Sequence, residues 1–276
     1  MEGNDFIVYR LKQISLEPDQ YGQHLKIKMV SMYDGHGKFI KHVKLDKDIL
    51  PEKTKSYVPV SHKDFVDNIK DMASKLLPLY DLNTQKFGLA REGKQMFGTL
   101  TYKKTIDNAL EPVKDMGLSI GMRNSYDKSM SLGICSGSTV FVCENLMMSG
   151  EIVVMRTHRG RILDELKGII FNAIVNAEHK FETLNADAQS FKTRDCDDHM
   201  AYGTIGRLYG NGILKERQLP VVKKEWTKPT HDAFSEKTLW RLYNAGTEAL
   251  KTTPPMLRMN KQIKLHEAFK TDFGIS

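Results

Sequence analysis

Apolar and polar positions alternate with a period of two in some stretches of the chain and with a helical period in others. Phe6-Ile7-Val8-Tyr9 and Leu25-Lys26-Ile27-Lys28-Met29-Val30 predict short strands, the second alternating apolar and basic side chains as a half-buried strand does. Asp34-Gly35 with Gly37 predicts a tight turn, and Phe39 to Leu45 the returning strand. From Ser61, a candidate N-cap, Phe65, Ile69, Met72, Ala73 and Leu76 recur at helical spacing until Pro78 stops the run. Phe87–Ala90 and Met96–Tyr102 predict strands paired across Arg91-Glu92-Gly93-Lys94, and Thr105–Val113 a short helix.

Strands dominate the centre. Leu118–Asn124, Ser129–Cys135 and Thr139–Cys143 are separated by the turn-like segments Ser125–Lys128 and Ser136-Gly137-Ser138, and Ile152–Arg156 predicts one more strand. A long helix follows over Arg161–Phe191, with Ile162, Leu166, Ile169, Ile170, Ala173, Ile174, Ala177, Phe181 and Leu184 on one stripe. The last third is helical and punctuated by Gly210-Asn211-Gly212, Pro220, Pro229 and Pro254-Pro255. Strands and helices come in blocks, so the expected class is α+β, an antiparallel sheet core with a long packing helix and a helical C-terminal region. The expected organisation is one compact domain with a β-rich segment over residues 1–60, a central core over 61–200 and a helical region over 201–276.

The longest apolar runs, such as Ile152–Met155, are only a few residues, so no membrane span is expected. The opening MEGNDFIVYR lacks a basic segment followed by an apolar one, so the expected location is the cytoplasm. Cys135, Cys143 and Cys196 are odd in number and form no CxxC pair, which argues against a disulfide framework and a thiolate zinc site. Forty-one Lys and Arg against thirty-four Asp and Glu give a net charge of +7. Phosphate backbones are the commonest partner of such an excess, although scattered lysines alone produce the same number.

Charge then narrows to particular places. Arg156-Thr157-His158-Arg159-Gly160-Arg161 sets three arginines before the long helix, where unsatisfied N–H groups favour a phosphate. The alternative is a solvated helix start paired with Asp164 and Glu165. Arg123-Asn124-Ser125-Tyr126-Asp127-Lys128-Ser129 places a tyrosine between basic residues at a hairpin tip, as a base-stacking platform would, or else forms a plain turn with Tyr126 packed on its neighbours. Lys103 and Lys104 supply further backbone contacts behind them, and Tyr102 and Phe97 further candidate stackers. Asp195-Cys196-Asp197-Asp198-His199 offers metal-ligand types for phosphodiester hydrolysis, but five consecutive residues cannot all converge on one ion. A helix start or acidic turn is the competing reading. Cys143, His158 and Asn145 contain the types of a cysteine nucleophile set, though Cys143 ends a Val-Phe-Val-Cys run that points to the core. The segment Lys251–Lys270, five basic residues against one acid, either lies along a backbone or closes the fold as an amphipathic helix.

Three segments resemble a family encoded by phages and plasmids and described only as a domain of unknown function. They are Arg123–Ser129, with Tyr126 where the family usually has histidine, Val140–Leu146 followed by Arg156-Thr157-His158, and Thr238-Leu239-Trp240-Arg241-Leu242-Tyr243-Asn244-Ala245-Gly246-Thr247-Glu248. Size and lysine content are also similar to the early single-stranded-DNA-binding proteins of podoviruses that carry a virion RNA polymerase. That resemblance implies sequence-tolerant binding to single strands, a homo-oligomer and a phage RNA polymerase as partner; it transfers no catalytic residue. The leading expectation is therefore a non-enzymatic single-stranded-DNA-binding protein without cofactor. A metal-dependent nuclease, and a phage protein that binds a host or phage protein, are the alternatives.

Overall fold

The computed structural model describes Leu45, residues 50–105 apart from Ser56, and residues 116–143, 145–148, 153–154, 162–253 and 255–275. The hairpin expected over residues 6–45, apart from the buried Leu45, and the helix expected from residue 106 to 113 lie outside the described residues. The chain is α+β, as expected. Among the described residues, β1 (Tyr80–Ala90), β2 (Gln95–Lys104), β3 (Met116–Ser125), β4 (Gly133–Val140) and β5 (Asn145–Met148) form an antiparallel sheet in that order, with β6 (Val153–Val154) also paired to β4.

Helix α1 (His62–Leu76) begins where the Ser61 side chain accepts from the backbone N–H of Asp64, and Leu77 ends it before Pro78. The β1–β2 hairpin closes through Glu92 and Gly93, whose φ angles of 57° and 87° are those that primed hairpin turns need. Helices α2 (Ile162–Val175) and α3 (Ala177–Lys192) lie against β3 and β4, and α1 packs on α2. Leu100, Leu118, Ile120 and Ile134 of the sheet and Ile170, Ile174, Phe181 and Leu184 of the helices join one buried cluster. The expected single long helix is interrupted at Asn176, whose side-chain amide bonds back to Asn172 O and competes with the helix ladder.

Helices α4 (Asp198–Gly210), α5 (Leu219–Thr227), α6 (Leu239–Leu250) and α7 (Pro255–Phe273) complete the described chain. Helix α6 is buried on almost every side, between α3, α5 and α7. Two central expectations are corrected. Ser136-Gly137-Ser138 is uninterrupted strand within β4, because both edges of β4 are hydrogen-bonded; the expected strand Thr139–Cys143 instead ends at Val140 and turns. Likewise Ser129 belongs to a turn, its side chain bonded to Gln95. Gly117 shows how closely β3 is approached: a Cβ there would stand 2.6 Å from the Phe141 ring and 2.8 Å from Tyr102 O. Gly117→Ala is expected to cost about 1–3 kcal/mol, seen as a lower urea midpoint at unchanged slope.

Candidate functional site

The hairpin tip at Arg123–Ser129 folds back on the start of α1 and on the β1–β2 turn. Asn124, fully buried, donates through Nδ2 to Val60 O at 2.8 Å and to His62 Nδ1 at 3.0 Å. Because a carbonyl only accepts, the 2.9 Å contact to Gly93 O places the imidazole proton on Nε2. Tyr126 stacks on His62 with ring centroids 3.8 Å apart and planes 8° apart, and its hydroxyl accepts from His62 N at 2.7 Å. Burial brings the His62 imidazole down to about 4, so it is neutral near pH 7. Asp127 accepts from Gln95, Ser129 and Arg91. Burial works against its charge, but those bonds and Arg91 together hold its carboxyl below the usual range.

The candidate nucleic-acid residues therefore separate by burial. Phe97, Tyr102 and Tyr126 are 5, 4 and 7% exposed, so none offers a ring face to a base. This differs from the expectation, and the reason is that β2 is covered on both faces while Tyr126 is taken by His62. Arg123 is half-buried with its Nε unpaired in the interior. Lys103 is exposed, Lys104 sits 5.8 Å from the Tyr80 ring, and Lys128, exposed, lies 4.6 Å over the Tyr57 ring. Arg156, His158, Arg159 and Arg161 lie outside the described residues.

The acids of Asp195–His199 are divided among separate tasks. Asp195 pairs through its backbone with Thr238 in an antiparallel bridge, the Asp197 carboxylate caps α4 by accepting from Met200 N at 2.7 Å, and the Asp198 carboxylate accepts from Trp226 Nε1 and Lys237 Nζ. Among the described residues no group of three or more His, Cys, Asp or Glu side chains is placed to hold a metal. No observation favours the nuclease alternative.

The second and third family-like segments meet in space. Asn145 Nδ2 donates to Asn244 O and Oδ1 at 3.3 and 3.0 Å, and Cys143 Sγ lies 3.9 Å from Asn244 Oδ1. Lys251 Nζ joins Cys143 O to Glu248 Oε2. Beside them Asn145, Glu225, His231, Arg241, Asn244 and Glu248 border a pocket with room for roughly one water. Glu225 is spent on Thr230, and Arg241 Nη1 on Ser235 O. Burial pushes the Cys143 thiol up to about 11, which keeps it protonated near pH 7 and a poor nucleophile. Its small size makes this a joint between β5 and α6 and leaves no space for a substrate, and Asn145 Oδ1 and Arg241 Nε are buried there without a hydrogen-bond partner.

Another basic group was invisible along the chain. Lys261 Nζ of α7 donates to Gly212 O in the turn after α4, three residues before Lys215, and Lys264 follows Lys261 one turn on along α7. Burial, then the like charges of Lys264 and Lys215, bring the Lys261 ammonium below its usual range. Only spacing of some fifty residues hides the cluster, since each lysine taken alone is an ordinary surface residue.

The family profile described as "Domain of unknown function (DUF932)" matches residues 50–269. No curated protein and no solved structure matches the chain.

Proposed function

We propose, from the premise that the chain belongs to the DUF932 family, that it binds single-stranded DNA without base preference and without a catalytic centre of its own. The observation that carries the reading is the convergence of Lys215, Lys261 and Lys264 on a chain of net charge +7. Ammonium groups gathered against their mutual repulsion gain most from a polyanion, because phosphates relieve the repulsion and counterions are released. Lysines on a backbone do not distinguish bases, so sequence tolerance follows. Preference for single strands, self-association and recruitment of a phage RNA polymerase rest on the resemblance to the podoviral proteins. No described helix is long and apolar enough to cross a membrane.

A mobility titration with oligo-dT and duplex probes at two salt concentrations tests the reading. Affinity is expected to fall with added salt, with a logarithmic slope of about −0.7 for each lysine neutralised by a single strand, and duplex is expected to bind more weakly. Undetectable binding of oligo-dT at low salt would remove the proposal.

A further inference from the structure

The rings expected to stack on bases are buried, but α4 exposes two others beside the lysine cluster. Tyr202 and Tyr209 are 45 and 47% exposed, and among the described residues neither ring stacks on or hydrogen-bonds to another side chain. They stand seven residues apart, nearly two helical turns, so they share a face at about 10 Å separation along the axis. Gly206, which has no side chain, and Ile205, only 9% exposed, are the residues that lie between them on this side, and a Cβ at Gly206 would meet no atom within 4 Å.

The turn after α4 fixes how the face continues. Gly212 N donates to Tyr209 O, Ile213 and Leu214 N–H both reach Leu208 O, and the chain thereby brings Lys215 back to the end of the helix. Lys261 Nζ donates to Gly212 O from α7, one helical turn before the exposed Lys264. Residues 211–228 hold five basic side chains against the acids Glu216 and Glu225; Lys223 and Lys224 are exposed on α5, which packs beside α4, and Lys228 is exposed just past its end. The carboxyl end of α4 carries only about half a negative charge, which the ammonium groups around it outweigh. Arg207 takes no part, being paired with Asp272 at 2.9 Å.

We infer that this face of α4 and α7 is where a single strand lies, its bases on Tyr202 and Tyr209 and its phosphates on Lys215, Lys261 and Lys264. The inference rests on the DNA-binding reading above and supplies a reason for single strands: a ring can stack only on a base free of its partner. Positive charge at the end of the aromatic row argues for a polyanion in place of a protein surface.

Full-length protein would be titrated with fluorescein-labelled oligo-dT as wild type, Tyr202→Ala/Tyr209→Ala, Tyr202→Phe/Tyr209→Phe, and a triple Lys→Gln variant at 215, 261 and 264. Each lost ring is expected to weaken binding roughly 5- to 150-fold, while the phenylalanine pair, which keeps both faces, binds like wild type. The lysine variant is expected to lower the salt slope by about 2. All five positions are exposed or half-buried, and urea unfolding confirms that each variant is folded. Wild type that binds while the alanine pair binds within twofold of it overturns this face but leaves DNA binding standing. Wild type that fails to bind overturns both.

Discussion

Phe191→Ala is expected to lower the free energy of unfolding by about 3–5 kcal/mol, the largest single-residue effect foreseen in the helical half. Phe191 is fully buried where α3, α6 and α7 meet. Its ring stacks on Tyr243 at 5.2 Å and meets the edges of Phe269 at 5.6 Å and His266 at 6.1 Å. Truncation removes the transfer energy of the ring and leaves a space whose walls cannot all move in. Two of the neighbours hold polar atoms, Tyr243 Oη and His266 Nδ1, that are buried without a hydrogen-bond partner. His266 is further held by Asp187 at 2.9 Å, so it is not free to fill the gap. Urea unfolding at pH 7 measures the loss, and Phe191→Leu should lose much less. A loss below about 1 kcal/mol for alanine would mean that the cluster is not a rigid part of the core.

Acid is expected to weaken the protein through His62 in a defined window. The imidazole titrates near 6.5 when unfolded and at about 4 when folded, because burial opposes its charge. Above pH 6.5 both states are neutral and the difference contributes nothing. Between 6.5 and 4 the unfolded chain takes up the proton and the folded chain does not, so stability falls as pH falls. Below 4 both are protonated and the full loss, about 3 kcal/mol, is in place. His62→Gln is expected to be the less stable protein at pH 7, since it breaks the contacts to Asn124 and Gly93 O and the stack on Tyr126. Its deficit should shrink steadily towards pH 4. Urea midpoints taken at half-unit intervals decide the matter, and parallel curves for the two proteins would show that His62 does not titrate there.

The His62 cluster also shows how much of a site the sequence can carry. Arg123–Ser129 is recognisable as a hairpin tip, and its Asn-Ser-Tyr-Asp segment as something other than filler. Its partners are not recognisable, because Val60, His62 and Gly93 approach from thirty to sixty residues away. An aromatic ring between basic residues reads equally as a platform for bases or as a packed ring. Only burial separates the two, and here a histidine from α1 occupies the face. The opposite error was possible on α4, where Tyr202 and Tyr209 carry no local sign that their side of the helix stays open.

What the sequence determined by itself is what depends on near neighbours. The cap and apolar spacing of α1, the Glu92-Gly93 turn, the stripe through Leu166, Ile170, Ile174, Phe181 and Leu184 and the α+β class follow from periods and local backbone preferences. Tertiary structure decided the rest. It made Ser136–Ser138 a strand by supplying hydrogen-bonding neighbours on both edges, and it joined Asn145 to Asn244. It also buried the expected stackers and set Lys261, with Lys264 one turn on, against the turn that precedes Lys215. The physical reason is the same each time. Periodicity tells which residues share a face, whereas covering that face, or setting like charges side by side, takes segments brought from far along the chain.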